Sequence, residues 1–179
     1  MINVTVAPAT SEPITTDEAK AFLRITHNLE DDLVSALISA ARAHCERYTG
    51  LLLAGQAVTQ TMDSFPCGDT LTLAKGPVAE VSGIAVVTSE GEAGETEFSA
   101  DNFVADPASR RIVLKDGASW PEVVRPIAGV KVRYVAASDV PHTLLQGMKH
   151  LISHMYENRE TADQIPPIVV ALWPREVVV

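Results

Sequence analysis

Apolar residues recur at spacings of three and four from Thr16 to Tyr48, alternate with polar ones from about Gln56 to Ala137, and return to the longer spacing from Leu144 onward. The first pattern is that of amphipathic helices and the second that of half-buried strands. The chain therefore reads as helix, then strand, then helix.

The opening helical stretch divides in two. Thr15 followed three residues later by Glu18 is the reciprocal arrangement that satisfies first-turn amide groups, and a helix is predicted to run through about Arg24 with Ala19, Phe22 and Leu23 on one stripe. Asn28 is the expected cap of the second helix, with Glu30, Asp31 and Asp32 at the positive end of its dipole. Leu33, Val34, Leu37, Ile38, Ala41, Cys45 and Tyr48 share one face of it, Arg42, Glu46 and Arg47 lie off that face, and Gly50 is placed as a left-handed terminator.

Alternation then carries "QAVTQTMDSF", "TLTL", "AEVSGIAVVTS", "DNFVAD", "RRIVL" and "AGVKVRYVAA", with "PCGD", "KGP" and "KDG" as turns between them. Beyond it, Pro141 sits where a first helical turn tolerates proline. The helix predicted from about Pro141 to Asn158 turns Leu144, Leu145, Met148, Leu151, Ile152 and Met155 inward, and "NRETADQIPP" links it to a short apolar helix ended by Trp173 and Pro174. The expected fold class is α+β: a small α-helical bundle of two N-terminal helices, one long and one short C-terminal helix, with an inserted antiparallel β region. The corresponding divisions are residues 1–55, 56–137 and 138–179.

A chain of 179 residues that is 46% hydrophobic and 21% charged is long and apolar enough to build its own core. Its 23 acidic against 14 basic residues give a formal net charge of -9, so its average surface repels polyanions and excludes tight binding through phosphate contacts. Two cysteines, Cys45 in a helical pattern and Cys67 in "FPCGD", make neither a disulfide framework nor a zinc site, and fit a reducing setting. The start "MINVTVAPATSEP" has no basic, long apolar secretory signal, and no run approaches the roughly 20 apolar residues that span a bilayer.

Candidate chemistry is thin. His150 and His154 lie four apart on one helical face, the spacing zinc-binding helices use, but Leu151 stands where a metalloprotease helix carries Glu, and Glu157 offers a third ligand only by proximity. A polar helix face or a subunit contact is the preferred reading. Glu90, Glu92, Glu95, Glu97 and Asp101 match no calcium loop and read as the solvated, mobile tip of a β-hairpin. Ser35 and Ser39 lack the turn that exposes a nucleophile, and "AKGPVAEVSG" lacks the Lys-Ser/Thr pair of a phosphate loop. No cofactor and no metal is expected, and the chain is read as not an enzyme. A metal-dependent enzyme using His150 and His154, or a cytoplasmic protein-binding module with a β-sandwich surface, are the alternatives.

The segments "PITTDEAKAFLRITHNLEDDLVSALISAARAHCERYTGLLL", "PHTLLQGMKHLISHMYENRE" and "IPPIVVALWPRE" resemble the head-tail connector (adaptor) family of long-tailed phages and phage-derived gene transfer agents. The likeness is carried by residues at both helical ends, and the long β section matches the larger branch of the family in type and placement. It implies a virion structural protein, assembled in the bacterial host cytoplasm, whose neighbouring adaptor subunits close into a ring, usually of twelve. The portal protein lies on one side of that ring and a tail-side stopper protein on the other. DNA passes through the bore without specific binding, for which an acidic surface is suited.

The same resemblance implies that the C-terminal segment grips the portal, which here means Leu172, Trp173, Pro174, Arg175, Glu176, Val177, Val178 and Val179. Trp and Arg are frequent interface anchors, and an apolar tail is an uneconomical surface to leave in water. The competing reading of Trp173 is that it closes the protein's own core.

Overall fold

The computed structural model describes residues 1–88, 94–136, 139–158 and 165–173. The chain forms two compact units, Met1–Ala9 with Gly55–Ala137, and Thr10–Ala54 with Ser138–Val179. The fold is mixed α+β, with four helices and antiparallel sheets among the described residues.

In the helical unit, α1 (Thr16–Leu23) begins as predicted: Glu18 N–H donates to Thr15 Oγ1 at 3.2 Å, and the Thr15 N–H donates to Glu18 Oε2 at 2.9 Å. The Thr15 backbone N–H, and after it the Thr15 hydroxyl donating to Glu18 Oε2 at 3.1 Å, hold the Glu18 carboxyl below its ordinary range. The second helix, α2 (Asp31–Thr49), starts later than expected. Its cap position is Glu30, which makes no side-chain cap bond, because Asn28 is engaged elsewhere: its Oδ1 accepts from Lys20 Nζ at 2.6 Å. Gly50 does terminate the helix at φ 80°.

α3 (His142–Glu157) follows Pro141, which stands just before the first turn rather than inside it, and α4 (Pro167–Leu172) completes the unit. The four helices share one buried cluster that includes Ile14, Val34, Ile38, Cys45, Leu53, Leu144, Met148, Leu151, Ile152, Val169 and Trp173. At about 1.5–3 kcal/mol for each large apolar side chain withdrawn from water, this cluster supplies most of the unit's stability. Arg42 fastens the entering chain to α2, donating from Nε to Glu12 at 2.7 Å and from Nη1 to Glu46 at 3.0 Å.

The β unit contains a strand absent from the sequence-based expectation. Residues assigned there to the helical part form β1 (Ile2–Val6), which pairs with β2 (Ala57–Met62). The remaining strands are β3 (Thr70–Thr72), β4 (Val78–Val87), β5 (Glu95–Phe98), β6 (Phe103–Asp106), β7 (Arg111–Leu114) and β8 (Val130–Ala136). They form a five-stranded sheet of order β1-β2-β8-β4-β5 and a three-stranded sheet of order β3-β7-β6, all pairs antiparallel.

Two polar side chains fasten one sheet to the other. Gln60, wholly buried on β2, donates to Thr72 C=O at 3.0 Å and accepts from Ala74 N–H at 2.7 Å. Tyr134 on β8 accepts at its hydroxyl from Lys75 N–H at 3.1 Å. Phe98 of β5 stacks on Phe103 of β6 at 5.9 Å, which joins the sheets apolarly.

Candidate functional site

The C-terminal element is built around a missing side chain. Gly147 leaves α3 without a Cβ at the point where the Trp173 indole lies against it, and a methyl group there would overlap the ring. The indole N–H donates to Leu144 C=O at 3.2 Å, and Tyr48 of α2 meets the ring at a centroid distance of 6.0 Å. Trp173 is 0% exposed. Of the two sequence-based readings of this residue, the structure places it in the protein's own core, so Trp173 anchors the end of α4 to α3.

Leu172 is half-buried against the same core. Pro174, Arg175, Glu176, Val177, Val178 and Val179 lie outside the described residues. α4 buries Val169 inward, while Pro167, Ile168, Val170 and Ala171 face solvent, and every residue from Ile165 to Trp173 is apolar. An outer helical face with no polar residue is unusual for a surface exposed to water.

A second exposed apolar feature lies in the loop between α1 and α2, where Leu29 is 91% exposed. Its neighbours are all fixed. Lys20, itself buried, donates from Nζ to Asn28 at 2.6 Å and to Asp31 at 2.7 Å, and the Tyr156 hydroxyl donates to Glu30 Oε2 at 2.6 Å.

The residues of α3 that invited a metal reading each meet a local partner. His150 packs edge-on against Phe22 at 5.4 Å, and His154 Nδ1 lies 3.2 Å from Asn158 Nδ2. Glu157 accepts from Ser153 at 3.5 Å. Among the described residues, no three His, Cys, Asp or Glu side chains are grouped to hold a metal ion. Cys45 is buried, and burial pushes its thiol up to about 12, so it is not a nucleophile near neutral pH.

The acidic stretch corrects one expectation. Glu90 and Glu92 lie outside the described residues, but Glu95 and Glu97 are strand residues of β5 rather than a mobile tip. Glu95 pairs with Lys131 at 2.5 Å and with Arg133, and Glu97 accepts from Arg133 at 2.7 Å. Asp101 lies in the short 3-10 turn that follows. The β unit also has an open cleft of about 360 Å³ bordered by Ile2, Met62, Asp63, Phe65 and Leu71. The Met1 amine at 2.6 Å and the Ala128 N–H at 3.1 Å occupy the Asp63 carboxylate and hold it below its usual range, the amine most strongly.

The sequence reading passed over Gly147 and Leu29. A glycine inside a strong helical pattern and a lone leucine in "THNLEDD" were the available signals.

The head completion protein family model matches residues 12–165, which takes in α1, α2, β2 to β8 and α3 and stops just before α4. The chain belongs to the head completion protein family. Three solved structures containing similar chains agree in fold with this family member over its whole length. One is the neck of an empty gene transfer agent (GTA) particle computed with C6 symmetry: 26% identity, TM-score 0.76, all of this chain and 97% of the other covered. Another is the virion of a native GTA particle, at 25% identity and TM-score 0.77 with the same coverage. The third is the neck of a native GTA particle computed with C12 symmetry, at 28% identity and TM-score 0.67, again covering 100% and 97%. No curated protein matches the chain.

Proposed function

We propose that this head completion protein is a structural head-tail connector subunit of a phage or phage-like particle. Copies of it close into a ring of twelve in the neck, between the portal and the tail-side stopper, and DNA passes through the bore. The observation that carries this reading is the end-to-end similarity to chains of GTA necks, which covers 100% of this chain. Its part in the particle is assembly and not catalysis.

Two physical features favour the role. The net charge of -9 suits a wall past which DNA slides, since retention requires basic side chains against phosphate. The packing of Trp173 against Gly147 gives the residues after it a fixed point of departure from the helical bundle. Pro174 to Val179 are the portal-gripping segment on this reading, with Arg175 as the polar anchor and Val177, Val178 and Val179 as the apolar one.

The test is portal capture. Immobilised portal protein should retain the full-length chain and lose a chain that ends at Trp173, while circular dichroism of the two stays the same. Equal retention of both would remove the portal contact from the tail, and no retention of the full-length chain would contradict the connector role.

A further inference from the structure

We infer that neighbouring subunits of the ring meet head to tail, with Leu29 of one copy seated on the outer face of α4, at Ile168 and Val170, of the next. The inference rests on the connector reading and names the contact that reading leaves open.

Rotational symmetry of the kind used for the similar necks demands two different surfaces on each copy, because each subunit meets one neighbour with one flank and the other neighbour with the opposite flank. Among the described residues of the helical unit, Phe22 is 37% exposed but packs on His150, whereas Leu29 and the outer face of α4 are exposed apolar features at opposite ends. Leu29 adjoins the start of α2 and, through Glu30 and Tyr156, the end of α3. α4 adjoins the start of α3 through Leu144 and Gly147, and the end of α2 through Tyr48. The 19 residues of α2 separate these ends by about 28 Å, at the rise of an α-helix. One copy therefore cannot satisfy itself.

Both features are apolar. Leu29 is a single projecting side chain, 91% exposed, whereas α4 offers a broad face on which Ile168 is 53% and Val170 40% exposed. Leu29 is also held ready. A loop free to move would lose conformational entropy on docking, but Asn28, Glu30 and Asp31 are each already bonded to Lys20 or Tyr156, so that cost falls on folding instead. Four solvent-facing apolar residues on α4 and a tethered leucine at the far end are what a heterologous, repeating contact requires.

The experiment is thiol cross-linking in assembled particles. With Cys67 replaced by serine, a chain carrying Leu29→Cys and Ile168→Cys is incorporated into particles and treated with a short bis-maleimide. The expected product on a denaturing gel is a ladder of multiples of the chain, ending at the closed ring, with no ladder from either single variant. Incorporated chain that gives only monomer, or a link from residue 168 to the portal, would overturn the contact while leaving the connector reading intact. Absence of the unaltered chain from particles would overturn both. As a second variant, Leu29→Glu changes a residue exposed in the subunit and should keep its circular dichroism and thermal midpoint while incorporation falls at least about tenfold; unchanged incorporation also overturns the proposal.

Discussion

Trp173 and Gly147 form a single packing unit: the indole occupies the space that any other side chain at position 147 would fill, and its N–H bonds to Leu144 one turn away. Gly147→Ala should therefore destabilise the helical unit by about 1–3 kcal/mol, although alanine favours a helix by roughly 1 kcal/mol over glycine. Trp173→Ala should cost about 3–5 kcal/mol. Their combination separates packing from propensity, because once the indole is gone Gly147→Ala should become neutral or stabilising. Equal costs for Gly147→Ala in both backgrounds, measured by urea denaturation, would contradict the relationship.

A truncation series should show a sharp boundary at this residue. Removing Pro174 to Val179 should leave the thermal midpoint within a few degrees of the full chain, whereas removing Trp173 as well should lower it by an amount similar to Trp173→Ala. A gradual decline across the six terminal residues would place part of the core in the tail.

Gln60 predicts a different kind of loss in the β unit. Gln60→Leu keeps the volume but leaves the Thr72 carbonyl and the Ala74 amide without their partner, for about 2–5 kcal/mol in all. Tyr134→Phe removes one acceptor, from the Lys75 amide, and should cost less than half as much. Urea midpoints report the difference, and a larger effect from Tyr134→Phe would contradict the account of how the sheets are joined.

The cysteines give a prediction with a pH sign. In the folded chain only the exposed Cys67 should react promptly with a thiol reagent at pH 8, and Cys45 should react on unfolding. Burial raises Cys45 from about 9 to about 12, so the unfolded chain releases that proton first. The resulting stability is whole below pH 9 and is lost as pH rises toward 12, by up to about 4 kcal/mol. Burial likewise raises Tyr134, which adds to the fall at high pH. Cys45→Ala should flatten the decline between pH 9 and 11 in chemical denaturation, and an unchanged slope would show that other groups govern it.

Much of the helical unit was legible in the sequence because its signals are local. The Thr15 and Glu18 exchange, the face from Val34 to Tyr48 and the left-handed Gly50 each depend on residues within a few positions. The start of α2 was misplaced because Asn28 bonds a lysine eight positions earlier, and no local pattern announces such a competitor. β1 was missed for a similar reason: Ile2, Val4 and Val6 alternate over a short stretch, but their partners are some 55 positions away on β2. Glu95 and Glu97 read as solvent-facing until β4 and β8 bring Lys131 and Arg133 to them. At the candidate site, the apolar character of α4 was visible, whereas the burial of Trp173 depends on the absent side chain of Gly147.

The most direct measurement is a cryo-electron microscopic reconstruction of the neck of the particle that carries this chain. The connector account predicts twelve copies in a closed ring between portal and tail, with the residues after Trp173 on the portal and Leu29 against α4 of the adjacent copy. A neck that contains no copy of the chain, or copies bound outside the portal-to-tail channel, would contradict it.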